Sequence, residues 1–235
     1  MLCKIADLIV ELPEAGGMAP RCREYLYNGD KVPDIIFLPR KYRPPNWPEF
    51  DDEYEIYLDA CLQFYADIVC YDGMMLHSSA VTLDNRAYLF SAPGGTGKST
   101  HTKLWQQNFG EAAQILNDDK PALRKVDGKW YAYGTPWSGK FSINQNRKVP
   151  LAGICFIKRG EQNTIRRLNQ MEAFNRIVSQ TRRIFYEAER VEKMLENVEK
   201  LTNDIPIFEL YCNMNPDAAM LSYTTMCKCA EEMGL

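Results

Sequence analysis

The sequence predicts an α/β fold on a mixed, hairpin-rich sheet, and three observations carry that prediction. Short apolar runs suited to strands alternate with segments whose apolar residues recur at helical spacing. The pairs Asp84-Asn85 and Asp127-Gly128 separate strand-like runs, a hairpin signal that argues against a purely parallel sheet. One apolar run, Tyr88-Leu89-Phe90, feeds Ser91-Ala92-Pro93-Gly94-Gly95-Thr96-Gly97-Lys98-Ser99-Thr100, a glycine-rich turn that ends in Lys-Ser-Thr where a helix is expected to begin.

Taken in order, Lys4 to Leu12 reads as one strand and Glu53 to Leu58, by its alternation, as another. Between them, Pro39 to Pro48 resists regular structure, because each proline removes an amide donor and restricts its predecessor. The plain reading of that stretch is a solvated loop pinned by Trp47. Cys61 to Tyr71 has helical spacing and Met74 to Leu83 reads as one strand carrying His77. Thr100 to Asn108 continues the glycine-rich turn as a helix that Gly110 can end. Glu111 to Leu116 is a short apolar segment running into Asn117-Asp118-Asp119. Downstream, Ala122 to Val126 and Lys129 to Tyr133 flank Asp127-Gly128 as a hairpin, Val149 to Lys158 and Thr164 to Leu168 are strands, and Gln170 to Leu201 is helical. Pro206 to Tyr211 is a late strand and Pro216 to Met233 a terminal helix. The predicted organisation is a strand-rich lead-in, residues 1–72, packed on a core of residues 73–235.

A chain of 235 residues, 46% apolar, can bury a sizeable core. Its formal charge of -3 comes with scattered Lys and Arg, so a nucleic-acid partner is not expected. The N-terminus lacks an apolar signal core and no apolar run approaches membrane-spanning length, which predicts a cytoplasmic protein without a membrane partner. Eight cysteines in such a chain read as reduced thiols, and Cys227-Lys228-Cys229 is too tightly spaced for a common zinc site. Two histidines, His77 and His101, exclude a multi-histidine metal centre.

The glycine-rich turn points to a nucleoside triphosphate. Gly94, Gly95 and Gly97 let successive amides face inward, with Thr96 between them, and Lys98 adds positive charge at a helix start. Ser99 has the hydroxyl expected to hold magnesium, and Thr100 follows on the helix. The pattern G-x-x-x-x-G-K-[ST] is missed at its first position, where Ala92 stands. Asp118 and Asp119, 20 and 21 residues after Lys98 and at the end of an apolar strand, suit a pair of carboxylates beside phosphate and metal. One can coordinate magnesium and the other accept a hydroxyl proton. His77 reads as a structural residue or a phosphate contact, and His101 as a helix residue. Gly134-Thr135-Pro136-Trp137-Ser138-Gly139-Lys140 is either a loop over the phosphates or a turn that buries Trp137. Arg124, Lys140 and Arg147 are candidates for neutralising phosphate charge.

Together, His77-Ser78-Ser79-Ala80, the turn from Ala92 to Thr100 and Asn117-Asp118-Asp119 resemble the HPr serine kinase/phosphorylase family. The turn is also similar to that of ATP-dependent phosphoenolpyruvate carboxykinase, whose nucleotide-binding fold those kinases share. The resemblance covers roughly Met74 to Lys158. It implies a carboxykinase/HPr kinase-like P-loop domain that uses ATP and magnesium, with His77 near the phosphates and Lys98 on them. It further implies Asp118 as the proton acceptor and Ser99 and Asp119 on the metal side. The family's glutamate-arginine-glycine signature has no counterpart here; Thr135 to Lys140 stands in its place. The implied activity is phosphoryl transfer to a serine, threonine or other hydroxyl on a peptide, a protein or a small molecule. A nucleotide-binding regulatory module and simple nucleotide hydrolysis remain as alternatives, and oligomerisation is left open.

Overall fold

The computed structural model describes residues 1–15, 17–39, 51–139, 142–181 and 187–235; Trp47, most of the proline-rich stretch and Lys140 lie outside them. The described residues form an α/β fold on a mixed sheet. Its centre is the strand β6, Arg86–Ser91, which feeds the helix α3, Lys98–Phe109. On one side β6 pairs parallel with the long strand β10, Lys148–Arg159, and on the other antiparallel with β5, Ser78–Leu83. Beyond β5 lies β7, Gln114–Asp119, also antiparallel. Beyond β10, one half of that strand pairs with β12, Ile207–Cys212, itself paired with β11, Thr164–Arg167. Its other half pairs with β9, Lys129–Tyr133, followed outward by β8, Ala122–Val126, and β4, Gly73–Met75.

Alternation along the central strands sends side chains into two cores. Ala87 and Leu89 of β6, with Ile154 and Phe156 of β10, pack with α4, Gln170–Gln180, and α5, Ala188–Asp204. Tyr88 and Phe90 face the other way, against α3 and α6, Asp217–Glu232, where Trp105 and Met226 are fully buried. A third apolar cluster joins the small sheet of β1, Leu2–Ile5, β2, Leu8–Glu11, and β3, Ile35–Ile36, to α2, Asp52–Asp67. The short helix α1, Met18–Arg21, contributes Met18 to it. Trp137, Tyr133 and Met75 belong to that same cluster, so the N-terminal residues share their apolar contacts with the main sheet.

Three expectations are corrected. Glu53 to Leu58 is helix, not strand: Asp51 caps the amide of Tyr54, acidic residues fill the first turn, and Tyr57, Ala60, Cys61, Phe64 and Tyr65 are buried at helical spacing. Lys4 to Leu12 is a hairpin, because Ala6 and Asp7 turn with φ of 52° and 60°. Met74 to Leu83 is two strands with different partners, broken at Leu76 and His77. Among the described residues no helix is long and apolar enough to cross a membrane.

Trp137, fully buried with its ring 5.0 Å from that of Phe64, ties the loop after β9 to α2. Trp137→Ala is expected to cost about 3–5 kcal/mol, read as a lowered urea midpoint with an unchanged slope.

Candidate functional site

The chain leaves β6 at Ser91 and re-enters regular structure at Lys98, so the glycine-rich turn sits where strand hands over to helix. Gly95 and Gly97 adopt φ of 74° and 126°, which side chains resist. Ala92 does not, and its methyl is buried in the core on the α3 side; no glycine is needed there. The first turn of α3 has no side-chain cap and no acidic residue, leaving helix-end amides and their partial positive charge facing the turn. The Lys98 ammonium bends back to donate to Ala92 O at 2.9 Å. Burial lowers its pKa, and the charges of Asp119 and Asp118 work against that shift.

Strand β5 lies between the turn and the aspartates. Its Ser78 is opposite Ser91 on one side and Asp119 on the other, which puts the acidic pair two strand spacings, roughly 10 Å, from the strand that feeds the turn. Alternation then separates the two carboxylates. The Ser99 hydroxyl lies 2.9 and 3.1 Å from the Asp118 oxygens. Asp119 turns away, with φ 132°, to His77 Nε2 at 3.1 Å and to the Lys120 ammonium. Burial alone would raise the Asp119 pKa; the hydrogen bond from His77 and the charge of Lys120 more than reverse it, so the carboxyl sits well below the usual range.

Backbone ties fix these positions. Ser91 Oγ donates to His77 O at 2.8 Å, and buried Asn117 donates to Thr135 O at 3.0 Å while accepting from Lys120 N at 2.8 Å. Gly139 donates its amide to Asp118 O; a Cβ there would lie 2.8 Å from that oxygen, so only glycine lets the loop approach.

Two clefts flank the site. One, of about 460 Å³, runs from Gly95, Thr96 and Gly97 along Thr100 and Leu104 to Ile157, Arg159 and Asn213. The other, of about 180 Å³, is enclosed by Tyr65, His77, Asp119, Lys120, Gln180 and Thr181. Asp119, not Asp118, lines this second cavity.

The sequence profile described as "SynChlorMet cassette protein ScmC" matches residues 51–217. The chain belongs to the ScmC family. No curated protein matches it. Among solved structures, the HPr(Ser) kinase/phosphatase from Coxiella burnetii is similar at a TM-score of 0.42 and 10% identity, over 68% of this chain and 93% of that one. The match to the ScmC family spans the glycine-rich turn, both aspartates and the loop after β9, and begins only at α2.

Of the residues singled out in the sequence, the fold of this ScmC family member brings Lys98, Ser99, Asp118, Asp119 and His77 together. Arg124 and Arg147 are engaged elsewhere: Arg124 donates to Tyr71 O and Ala6 O, and Arg147 to Gln114 and Gln145. Arg159 escaped the sequence reading. It ends β10 and donates to Gly95 O at 2.6 Å, beside the turn because β10 runs parallel to β6; nothing local in the sequence marks it.

His101 is a buried support for α3. The hydroxyl proton of Ser222 goes to Ala219 O, so Ser222 accepts from both Trp105 Nε1 and His101 Nε2, each at 3.0 Å. Burial lowers the His101 pKa to about 4. A histidine that resists protonation when folded contributes stability fully present above its unfolded pKa of about 6.5 and lost as pH falls toward 4. About 3 kcal/mol should disappear over that window, and urea titrations at a series of pH values should show His101→Phe lacking this part of the acid sensitivity.

Proposed function

We propose that this protein is a phosphotransferase that uses ATP and magnesium to phosphorylate a hydroxyl group. The observation that carries the reading is the meeting, at the N-terminus of α3, of Lys98 and Ser99 with two carboxylates in different environments. The amides of the turn and the helix end would hold the phosphates, and the cleft toward Ile157 and Asn213 has room for the nucleoside. Arg159 and Lys98 would exchange their bonds to loop carbonyls for phosphate oxygens.

The donor set fits magnesium: one hydroxyl and two carboxylate oxygens within 3.1 Å of each other, all hard oxygens. Among the described residues no group of three His, Cys, Asp or Glu forms a metal cage, in keeping with an ion that is held by one or two carboxylates and the phosphates. Ser99 and Asp118 would hold it, and it would draw charge from the transferring phosphate. This reading departs from the assignment that the family resemblance implied, in which Asp118 is the proton acceptor and Asp119 is on the metal side.

Asp119 faces the smaller cavity, held by His77 and Lys120. In the transfer, the acceptor oxygen bonds to the terminal phosphorus while the bond to the bridging oxygen breaks and its electron pair leaves on ADP. The acceptor proton passes to Asp119, whose geometry His77 maintains.

Three variants test this reading through fluorescent-nucleotide binding and transfer of labelled phosphate. Lys98→Ala should abolish both. Asp119→Asn should keep nucleotide affinity and lose about 10²–10⁴-fold in transfer rate, whereas Asp118→Asn should lose the magnesium dependence of binding; the reverse pattern would exchange their roles. Arg159→Ala should weaken nucleotide binding by about ten-fold or more, the worth of one charge-assisted hydrogen bond. Saturable binding without transfer to any acceptor, with Asp119→Asn silent, would reduce the protein to a nucleotide-binding module.

A further inference from the structure

An open groove of about 510 Å³ lies where α1 meets the segment after the loop that crosses Asp118. Its walls include Arg21, Arg23 and Glu24 on one side and Ser142 and Asn144 on the other. Among the described residues Arg23 has no ion-pair or hydrogen-bond partner. Arg21 donates to Ser142 Oγ at 3.2 Å and lies over the Tyr57 ring at 4.6 Å, again without a carboxylate partner among the described residues. In a chain with more acidic than basic residues, two guanidiniums left without carboxylates in one groove form a local anion-attracting surface, and Glu24 is the only acidic residue among the lining residues named.

The groove is wired to the site. Asn144 donates to Ser138 Oγ at 3.0 Å, Tyr57 OH donates to Ser138 O at 3.5 Å, and Ser138 forms a backbone bridge with Asp119. The same helix that carries Tyr57 at the groove carries Tyr65 at the small cavity beside Asp119. Eight helical residues separate them, about 12 Å at about 1.5 Å per residue, a distance that about four extended residues cover. The small cavity, at about 180 Å³, is below the roughly 300–1,000 Å³ of sites that enclose a whole small molecule. It suits one side chain entering from a longer ligand.

We infer that the Arg21/Arg23 groove docks an acidic segment of a peptide acceptor, with its carboxylates about three to five residues from the hydroxyl that enters the cavity at Asp119. The location of that hydroxyl rests on the phosphotransfer reading; the docking itself does not. Arg21 and Arg23 lie ahead of the part of the chain that the ScmC profile matches, so the groove is built from both sides of that boundary.

The test uses the full-length protein and fluorescein-labelled peptides of about eleven residues with a central serine, flanked at the third to fifth positions on either side of it by Glu, by Gln or by Lys. Binding is followed by anisotropy without nucleotide, then phosphorylation with labelled ATP. The acidic peptide should bind, more weakly as salt rises, and the double variant R21Q/R23Q should weaken it at least ten-fold while leaving nucleotide affinity unchanged. In the kinase assay the same variant should raise KM and spare kcat. Charge reversal, R21E/R23E, should transfer preference to the Lys peptide, an outcome a merely structural role would not give. Absence of peptide binding, equal binding of all three peptides, or an unchanged double variant would overturn the groove. Acidic-peptide binding without phosphorylation would keep the groove and sink the kinase reading.

Discussion

Everything at the site depends on β5 being shared between two antiparallel neighbours. Because Ser78 is opposite Ser91 on one side and Asp119 on the other, the turn that follows β6 and the carboxylates that end β7 emerge at the same edge of the sheet. Their chain separation of some 20 residues is occupied by the turn, α3 and the return to β7. A slip of one residue in either pairing would turn every side chain of that strand to the opposite face, moving Asp118 away from Ser99 and Asp119 away from His77. The parallel pairing of β10 on the far side of β6 completes the edge with Arg159.

Charged groups of both signs gather at that edge. Lys120 pairs with Asp119, while Lys98 and Arg159 donate to carbonyls of the turn that leads into the N-terminus of α3. The buried Lys98 ammonium and the half-buried Lys120 ammonium are held by a carbonyl and a carboxylate, which limits the cost of burial. Asp119 holds a backbone conformation unusual for a non-glycine residue, of a kind that persists only where surrounding bonds over-determine it. Those bonds come from His77, Lys120 and the bridge to Ser138.

Much of this was legible in the sequence. The strand, glycine turn and helix around Lys98 followed from local chemistry, as did the Asp84-Asn85 and Asp127-Gly128 hairpins, both observed with positive φ. The acidic pair was visible too, but its division of contacts was not, since which carboxylate meets Ser99 depends on pairing register with β5. Glu53 to Leu58 alternates as a strand would, but the capping by Asp51 and the positions buried at helical spacing from Tyr57 onward decide for helix. Arg159 carries no motif, and parallel pairing gives it its place; Asn117 is part of the Asn-Asp-Asp triplet, but its buried side-chain network to Thr135 and Lys120 is not local in the sequence. For Trp137 the sequence leaves open a loop over the phosphates or a burying turn, and the contact with Phe64, far away in the chain, decides for burial.

The central claim is a separation of duties across β7: the Ser99–Asp118 side for the cation and the His77–Asp119 side for the acceptor. A crystal structure of the protein with magnesium and a non-hydrolysable ATP analogue measures it most directly. The account predicts phosphates on the amides of the turn, the cation bonded to Ser99 Oγ on the Asp118 side, and Asp119 still bonded to His77. A nucleotide bound away from the turn, or a cation resting on Asp119 with Asp118 turned to the acceptor cavity, would contradict it.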